Sequence, residues 1–241
     1  PGHSPAMQRS PVPLSEDFAG FLVGQRPELG LADRPAAPAR QRIAGDPEIR
    51  RPAGVGRMVD VKNPLLLLQA ARQLAEGGLA FRLAMVGDGP LRESLEAYVR
   101  EHNLETQVRF VGAVDQHELP DWYRAADVTL LTSHSEGLPN VLRESLACGT
   151  PFVATAVGSV AEIADPQISV LVEPGNASAL ADGVIRVLHG PYAEAAYRYR
   201  PRTWNECANH VTDLLQTVCG RTPRQPVSPP HVRGRRLVRQ S

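Results

Sequence analysis

Two glutamates, Glu136 and Glu144, stand eight positions apart in "SEGLPNVLRESLACGTPFVAT", around Gly-Leu-Pro-Asn and the start of a helical pattern. Pro139 sits where a helix accepts proline, so the amides of Asn140, Val141 and Leu142 are expected to be free at the helix N-terminus. Such an end attracts an anion. If the anion is a diphosphate, the two carboxylates meet the groups on either side of it. Eight residues span roughly 12 Å at helical rise, comparable with the reach from ribose to hexose in a nucleotide sugar. Glu144 can accept both hydroxyls of a ribose diol, and Glu136 those of a sugar. Asn140, Glu144 and Cys148 share one helical line while Leu142, Ser145, Leu146 and Gly149 lie toward the core, which turns Glu144 outward. A solvated helix glutamate and a loop glutamate near a helix dipole fit the same spacing, so spacing alone leaves both readings open.

Two further loops carry suitable groups. "GVGRMVDVK" offers Gly54 and Gly56, which let backbone approach a ligand, then Arg57 and Lys62, a guanidinium fork and a point charge suited to phosphates. It is not a dinucleotide fingerprint, because the third glycine is missing. A glycine turn with two solvated cations is the alternative. "VGDGP" places Gly87 and Gly89 before Pro90; a tight turn with Asp88 as helix cap explains it without a ligand.

The elements that must position these loops follow from the patterning. "AGVGR" (53–57) reads as the end of a first strand, preceded by a charged "EIRRP". "FRLAMVG", "VRFVG", "DVTLLTS", "PFVAT" and "ISVLVEP" read as five more strands. Helical stretches alternate with them: "NPLLLLQAARQLAEGG", "LRESLEAYVREH", "HELPDWYRAA", "PNVLRESLACG", "SVAEIA" and "NASALADGVIRVL". Six strands alternating with helices predict an α/β fold with one doubly wound, Rossmann-like parallel sheet, whose ligands bind beyond the carboxyl ends of the strands. The fourth strand delivers the chain directly to Ser135 and Glu136.

Composition bounds the rest. The chain has 241 residues and 42% hydrophobic residues, enough for a sizeable core. Lys+Arg 26 balances Asp+Glu 26, which gives no argument for a nucleic-acid partner. Cys148, Cys207 and Cys219 are an odd set without ligand spacing, read as reduced thiols and not as a metal or disulfide framework. No apolar run reaches the roughly 18 residues of a membrane span, and the N-terminus lacks a signal-peptide pattern, so a cytoplasmic protein is expected. Residues 1–50 are rich in Pro and Arg and are expected to be irregular; 51–219 form the folded domain with a closing helix in "RTWNECANHVTDLLQTV"; 220–241 are expected to be a disordered basic tail.

"VGRMVDVKNP", "VGDGPLR", "VRFVG", "YRAADVTLLTSHSEGLPNVLRESLACGTPFVAT" and "LVEPGNASALADGV" occur in the order seen in retaining glycosyltransferases of GT-B architecture, group 1 or family 4. The chain resembles their C-terminal, nucleotide-sugar-binding half from about Val55 to Leu188. The resemblance implies retaining glycosyl transfer from a UDP-, GDP- or ADP-linked sugar to a sugar, lipid-linked or polysaccharide acceptor, without metal or other cofactor. It implies that Glu136 faces the transferred sugar, that Glu144 holds the ribose, and that Arg57 and Lys62 meet the diphosphate. The backbone around Gly137, Leu138, Asn140 and Val141 would contact sugar and phosphate, with Gly56 and Gly87 among the binding positions. Lipid-linked acceptors would place the protein peripherally on the inner face of a membrane.

The family's acceptor site lies in an N-terminal domain, and the 50 or so residues before the first strand are too few and too proline-rich to form one. The chain is therefore expected to be a fragment or to need a separate acceptor domain, and no catalytic histidine is assigned; His117, His134 and His189 read as surface or loop residues. The alternative is a non-catalytic nucleotide-sugar-binding or scaffold remnant of the fold. An epimerase would need acid and base residues, and a phosphorylase a cofactor lysine, that the sequence does not display.

Overall fold

The computed structural model describes residues 49–200 and 204–219. The expected irregular segment 1–50, apart from its last two residues, and the basic tail 220–241 lie outside them. The chain divides into two compact units, Pro1–Pro201 and Arg202–Ser241.

The described residues of the first unit hold six strands: β1 (Pro52–Val55), β2 (Leu83–Val86), β3 (Val108–Gly112), β4 (Val128–Leu131), β5 (Phe152–Thr155) and β6 (Ser169–Val172). All pair in parallel in the order β3-β2-β1-β4-β5-β6. Helices α1 (Pro64–Glu76), α2 (Arg92–Glu101), α3 (Leu119–Ala125), α4 (Asn140–Ala147), α5 (Val160–Ile163), α6 (Ala177–His189) and α7 (Tyr192–Arg198) connect and follow the strands. The described part of the second unit is α8 (Trp204–Val218). Among the described residues no helix is long and apolar enough to cross a membrane.

The sheet is covered on both faces. Leu83, Met85, Val128 and Leu130 pack with Leu67 of α1, Leu95 of α2 and Leu180 of α6. Their chain neighbours point the other way: Ala84 and Val86 pack with Trp122 and Tyr123 of α3, and Leu131 with Leu142 and Leu146 of α4. Strands β2, β4 and β5 are buried along their whole length, as expected of strands with helices on both faces. This is the doubly wound, Rossmann-like α/β architecture, and the sequence order reverses between β1 and β4. Crevices at such a reversal take ligands.

Several local expectations are corrected. The first strand ends at Val55, not at Arg57, because Gly56 donates its amide to Val86 O (2.9 Å) and leaves the strand path at φ 154°. The charged residues before it continue the pairing: Arg50 bridges Phe81, and the Asp127 amide donates to Arg51 O at 2.8 Å while the Asp127 carboxylate accepts the Arg51 amide at 2.8 Å. Asp60–Lys62 forms a 3-10 turn within the supposed loop, and α7 lies where no element was expected. Asp88 does not cap α2; it accepts from the adjacent Gly89 amide (2.7 Å), and the cap position is Leu91, without a side-chain bond.

Candidate functional site

The carboxyl ends of β1 and β4 are neighbours because those strands pair, so the loops that follow them meet. A recess opens there, lined by Gly56, Arg57, Met58, Lys62 and Thr132 among others. The two loops are tied by main chain: the His134 amide donates to Val61 O at 2.8 Å, and the Thr132 hydroxyl reaches the carbonyls of Lys62 (3.0 Å) and Asn63 (2.9 Å). Asn63 holds the left-handed conformation, φ 44°, at the start of α1, and its side chain accepts from the Leu66 amide. That sharp turn directs the chain from β1 past β4 and places Lys62 on the β4 loop.

Lys62 Nζ lies 2.6 Å from Glu136 Oε1. The Ser133 hydroxyl donates to the same oxygen at 2.5 Å. Glu136 is nearly buried, its side chain 8% exposed, whereas that of Lys62 is 32% exposed. A buried carboxylate requires such partners. Both donors use Oε1, and an ammonium carries three donors, so the pair still offers acceptor capacity on Oε2 and donor capacity on Lys62. The Glu136 backbone is clamped from behind by the loop after β5. Gly158 has φ 52°, and a Cβ there would overlap the Glu136 carbonyl, while the Ser159 amide donates to Gly137 O at 3.3 Å.

Glu144 lies on the half-buried side of α4, whose Leu142, Ser145 and Leu146 face the core as the periodicity predicted. Tyr123 Oη donates to Glu144 Oε2 at 2.8 Å. Burial first, then this bond to a carboxylate, holds the Tyr123 phenol well above the usual tyrosine range, so it stays protonated and able to donate.

The predicted site residues fall into two groups. Arg57, Lys62, Gly56 and Glu136 gather at the β1–β4 crevice. Arg57 is exposed; its carbonyl accepts from the Val59 amide at 3.0 Å, and its side chain makes no hydrogen bond or ion pair among the described residues. Glu144 instead belongs to the α3–α4 contact through Tyr123. At the start of α4 the amides of Asn140 and Val141 have no partner among the described residues, but that of Leu142 donates to Pro139 O at 3.2 Å, which corrects the expectation of three free amides. Pro139 precedes the helix and contributes no side-chain cap bond. Gly137, Leu138 and Asn140 are exposed, whereas the Val141 side chain packs toward Trp122 and Tyr123. Gly87 has φ 131°, and a side chain there would overlap the carbonyl of Gly56. The glycines of "VGDGP" thus let the β2 loop brace the β1 loop, a packing role that accounts for Gly87 without a ligand. His134, His117 and His189 are all exposed, and none of the three cysteines forms a disulfide.

Sequence reasoning missed Thr132, Ser133, Tyr123 and Gly158. Thr132, Tyr123 and Gly158 act on residues far away in the chain, and Ser133 acts on Glu136 three positions on; none of the four stands in a motif that announces the contact. The only local signal was that Thr132 and Ser133 are adjacent polar residues directly after the buried strand β4.

Comparison with known proteins places this geometry. A D-inositol 3-phosphate glycosyltransferase from Thermomonospora curvata is 36% identical over 186 residues, covering 73% of this chain and 40% of the relative. The chain spans about two fifths of the length of the curated relatives it matches. The C-terminal domain of a glycosyl transferase group 1 family protein from Francisella tularensis superposes with a TM-score of 0.56 at 26% identity, over 61% of this chain and 82% of that one. A sucrose-phosphate synthase from Thermosynechococcus elongatus gives 0.57 at 29% identity, over 71% of this chain and 46% of that one. Residues 51–204 match the profile of the glycosyl transferases group 1, spanning every strand of the sheet and both glutamate sites; the chain belongs to that family.

Proposed function

We propose that this chain is the donor-binding half of a retaining glycosyltransferase and binds a nucleoside diphosphate sugar at the carboxyl edge of its sheet. The observation that carries the reading is the meeting of Lys62 and Glu136 at 2.6 Å across the β1–β4 crevice. A cation for the diphosphate and a carboxylate for the sugar thereby stand at one place, in the crevice where this fold takes ligands.

Arg57 and the two remaining donors of Lys62 take the diphosphate oxygens, with the amides of Asn140 and Val141 at the start of α4 adding backbone donors. Glu136 Oε2 accepts sugar hydroxyls, and Glu144 Oε1 accepts the ribose diol. In the reaction the bond between the anomeric carbon and the diphosphate oxygen breaks, and a bond from the acceptor oxygen forms on the same face. The acceptor proton passes to the departing phosphate, whose charge the two cations stabilise. These groups perform the charge stabilisation without a metal. The acceptor, a sugar, lipid-linked or polysaccharide hydroxyl, is presented by a separate acceptor domain, in keeping with the share of its relatives that the chain spans. The work is cytoplasmic, peripheral to the membrane when the acceptor is lipid-linked.

Calorimetric titration of the folded chain with UDP, GDP and ADP, beside Glu144→Ala, tests the reading. Binding of one nucleotide, weakened at least tenfold by the substitution, is expected from the loss of charge-assisted bonds of roughly 1.5–3 kcal/mol each. No binding of any of the three would overturn it in favour of a scaffold that keeps the fold without the site.

A further inference from the structure

Glu144 stands at the end of a chain of buried hydroxyls that its own helix does not explain. Ser145 Oγ lies 2.9 Å from Thr150 O and 2.7 Å from Thr129 Oγ1. A carbonyl only accepts, so the Ser145 proton goes to Thr150 and Thr129 donates to Ser145. Thr150 Oγ1 in turn donates to Tyr123 O at 2.6 Å, and Tyr123 Oη donates to Glu144 Oε2 at 2.8 Å. Thr129, Ser145, Thr150 and Tyr123 are each at most 3% exposed. Thr150 and Tyr123 each accept at the carbonyl and donate from the hydroxyl, so these bonds, joined through the two residues themselves, tie β4 and the end of α4 to α3 and to the Glu144 carboxylate. Each buried hydroxyl is satisfied by the next group, the condition under which a polar network rigidifies its surroundings. A helix glutamate facing water otherwise samples several rotamers, and fixing one costs side-chain entropy when a ligand binds.

We propose that Tyr123 is a positioning residue for nucleotide recognition: its buried phenol fixes the Glu144 carboxylate by Oε2, so that Oε1 is preset to receive the ribose hydroxyls. The inference rests on the reading of Glu144 as the ribose acceptor. It assigns the ribose selectivity of the site to a residue on α3, 21 positions away, that does not itself touch the ligand. A preset acceptor discriminates against an analogue that lacks the hydroxyl, because the acceptor is then left unpaired.

The test uses the whole chain and UDP, GDP and ADP, each beside its 2′,3′-dideoxy form. The wild type is expected to prefer the ribose form of whichever nucleotide binds by at least tenfold. Tyr123→Phe keeps the ring and removes the donor. It should weaken the ribose form about tenfold, leave the dideoxy form within about twofold, and have no further effect once Glu144→Ala is present, since a double-mutant cycle isolates the pair. Equal weakening of both forms, or an unchanged preference, would reduce Tyr123 to a packing residue and overturn the proposal. A wild type that binds nucleotide without preferring ribose would overturn the role of Glu144 itself, before any substitution is made. Should Tyr123→Phe not fold, Thr150→Val releases the Tyr123 carbonyl and should lower the same preference; retention of the full preference there would count against the network.

Discussion

Lys62 and Glu136, 74 positions apart in the chain, meet at 2.6 Å where the ends of two paired strands converge. The pair has a structural and a functional side. It neutralises a carboxylate that is nearly buried, and it holds a cation at the mouth of the crevice. The environment lies between the fully exposed and fully buried cases, so its removal is neither free nor catastrophic.

Lys62→Met should therefore lower stability by about 1–3 kcal/mol, read as a lower thermal midpoint. It should also weaken nucleoside diphosphate binding at least tenfold, by the loss of a charge-assisted contact to phosphate. The salt dependence of the remaining affinity should be shallower than in wild type, because one screened charge is gone. Calorimetry at two ionic strengths checks this. Unchanged affinity would confine Lys62 to its ion pair.

Gly158→Ala should disturb the Glu136 loop without touching a charge. The position has φ 52°, and a Cβ would overlap the Glu136 carbonyl, which is main chain and cannot rotate away. A cost of about 1–3 kcal/mol is expected, with the Glu136–Gly137 segment displaced. Thermal melts give the first quantity. The second appears as weaker binding of a nucleotide sugar relative to the plain nucleotide, because the disturbance falls on the carboxylate proposed to face the sugar.

The Tyr123 phenol gives a pH signature. Its pKa in the folded protein lies above the usual value of about 10, through burial first and the Glu144 carboxylate second. The folded state therefore holds this proton more tightly than the unfolded chain does. The resulting stability is fully present below about pH 10 and is lost progressively as pH rises above it. Denaturant melts between pH 9 and 11 should show wild type losing stability faster than Tyr123→Phe, the difference vanishing below pH 9. Parallel pH dependence in the two proteins would contradict the buried donor.

Much of the architecture is legible along the chain, because side-chain periodicity encodes which residues a strand or a helix buries. "DVTLLTS" and "PNVLRESLACG" give β4 and α4 to within one or two residues at each end, and the burial of Leu142, Ser145 and Leu146 follows from their spacing. Glu136 and Glu144 were legible as candidates for the same reason: one follows a strand end, the other lies off the Leu142–Leu146 core line of its helix, although the fold turns that line toward Tyr123 of α3 and not fully outward. Where the pattern is weak, at the charged "EIRRP" or in the short turn around α7, backbone pairing and tertiary packing decide, and periodicity has nothing to report.

What touches what was decided only in three dimensions. That β1 lies beside β4 and not β3 depends on the crossovers and on which faces the helices cover, neither of which is written into any short window of residues. From that one adjacency come the Lys62–Glu136 pair and the Thr132 ties, while the Ser133 bond to Glu136 is local to the loop after β4. From the packing of α3 on α4 comes the Tyr123–Glu144 bond. The sequence by itself determined the elements and the chemical groups they carry, since local periodicity and residue type are local properties. The tertiary structure decided how those groups pair, because a hydrogen bond between residues 21 or 74 positions apart is fixed by the folded path of the chain between them.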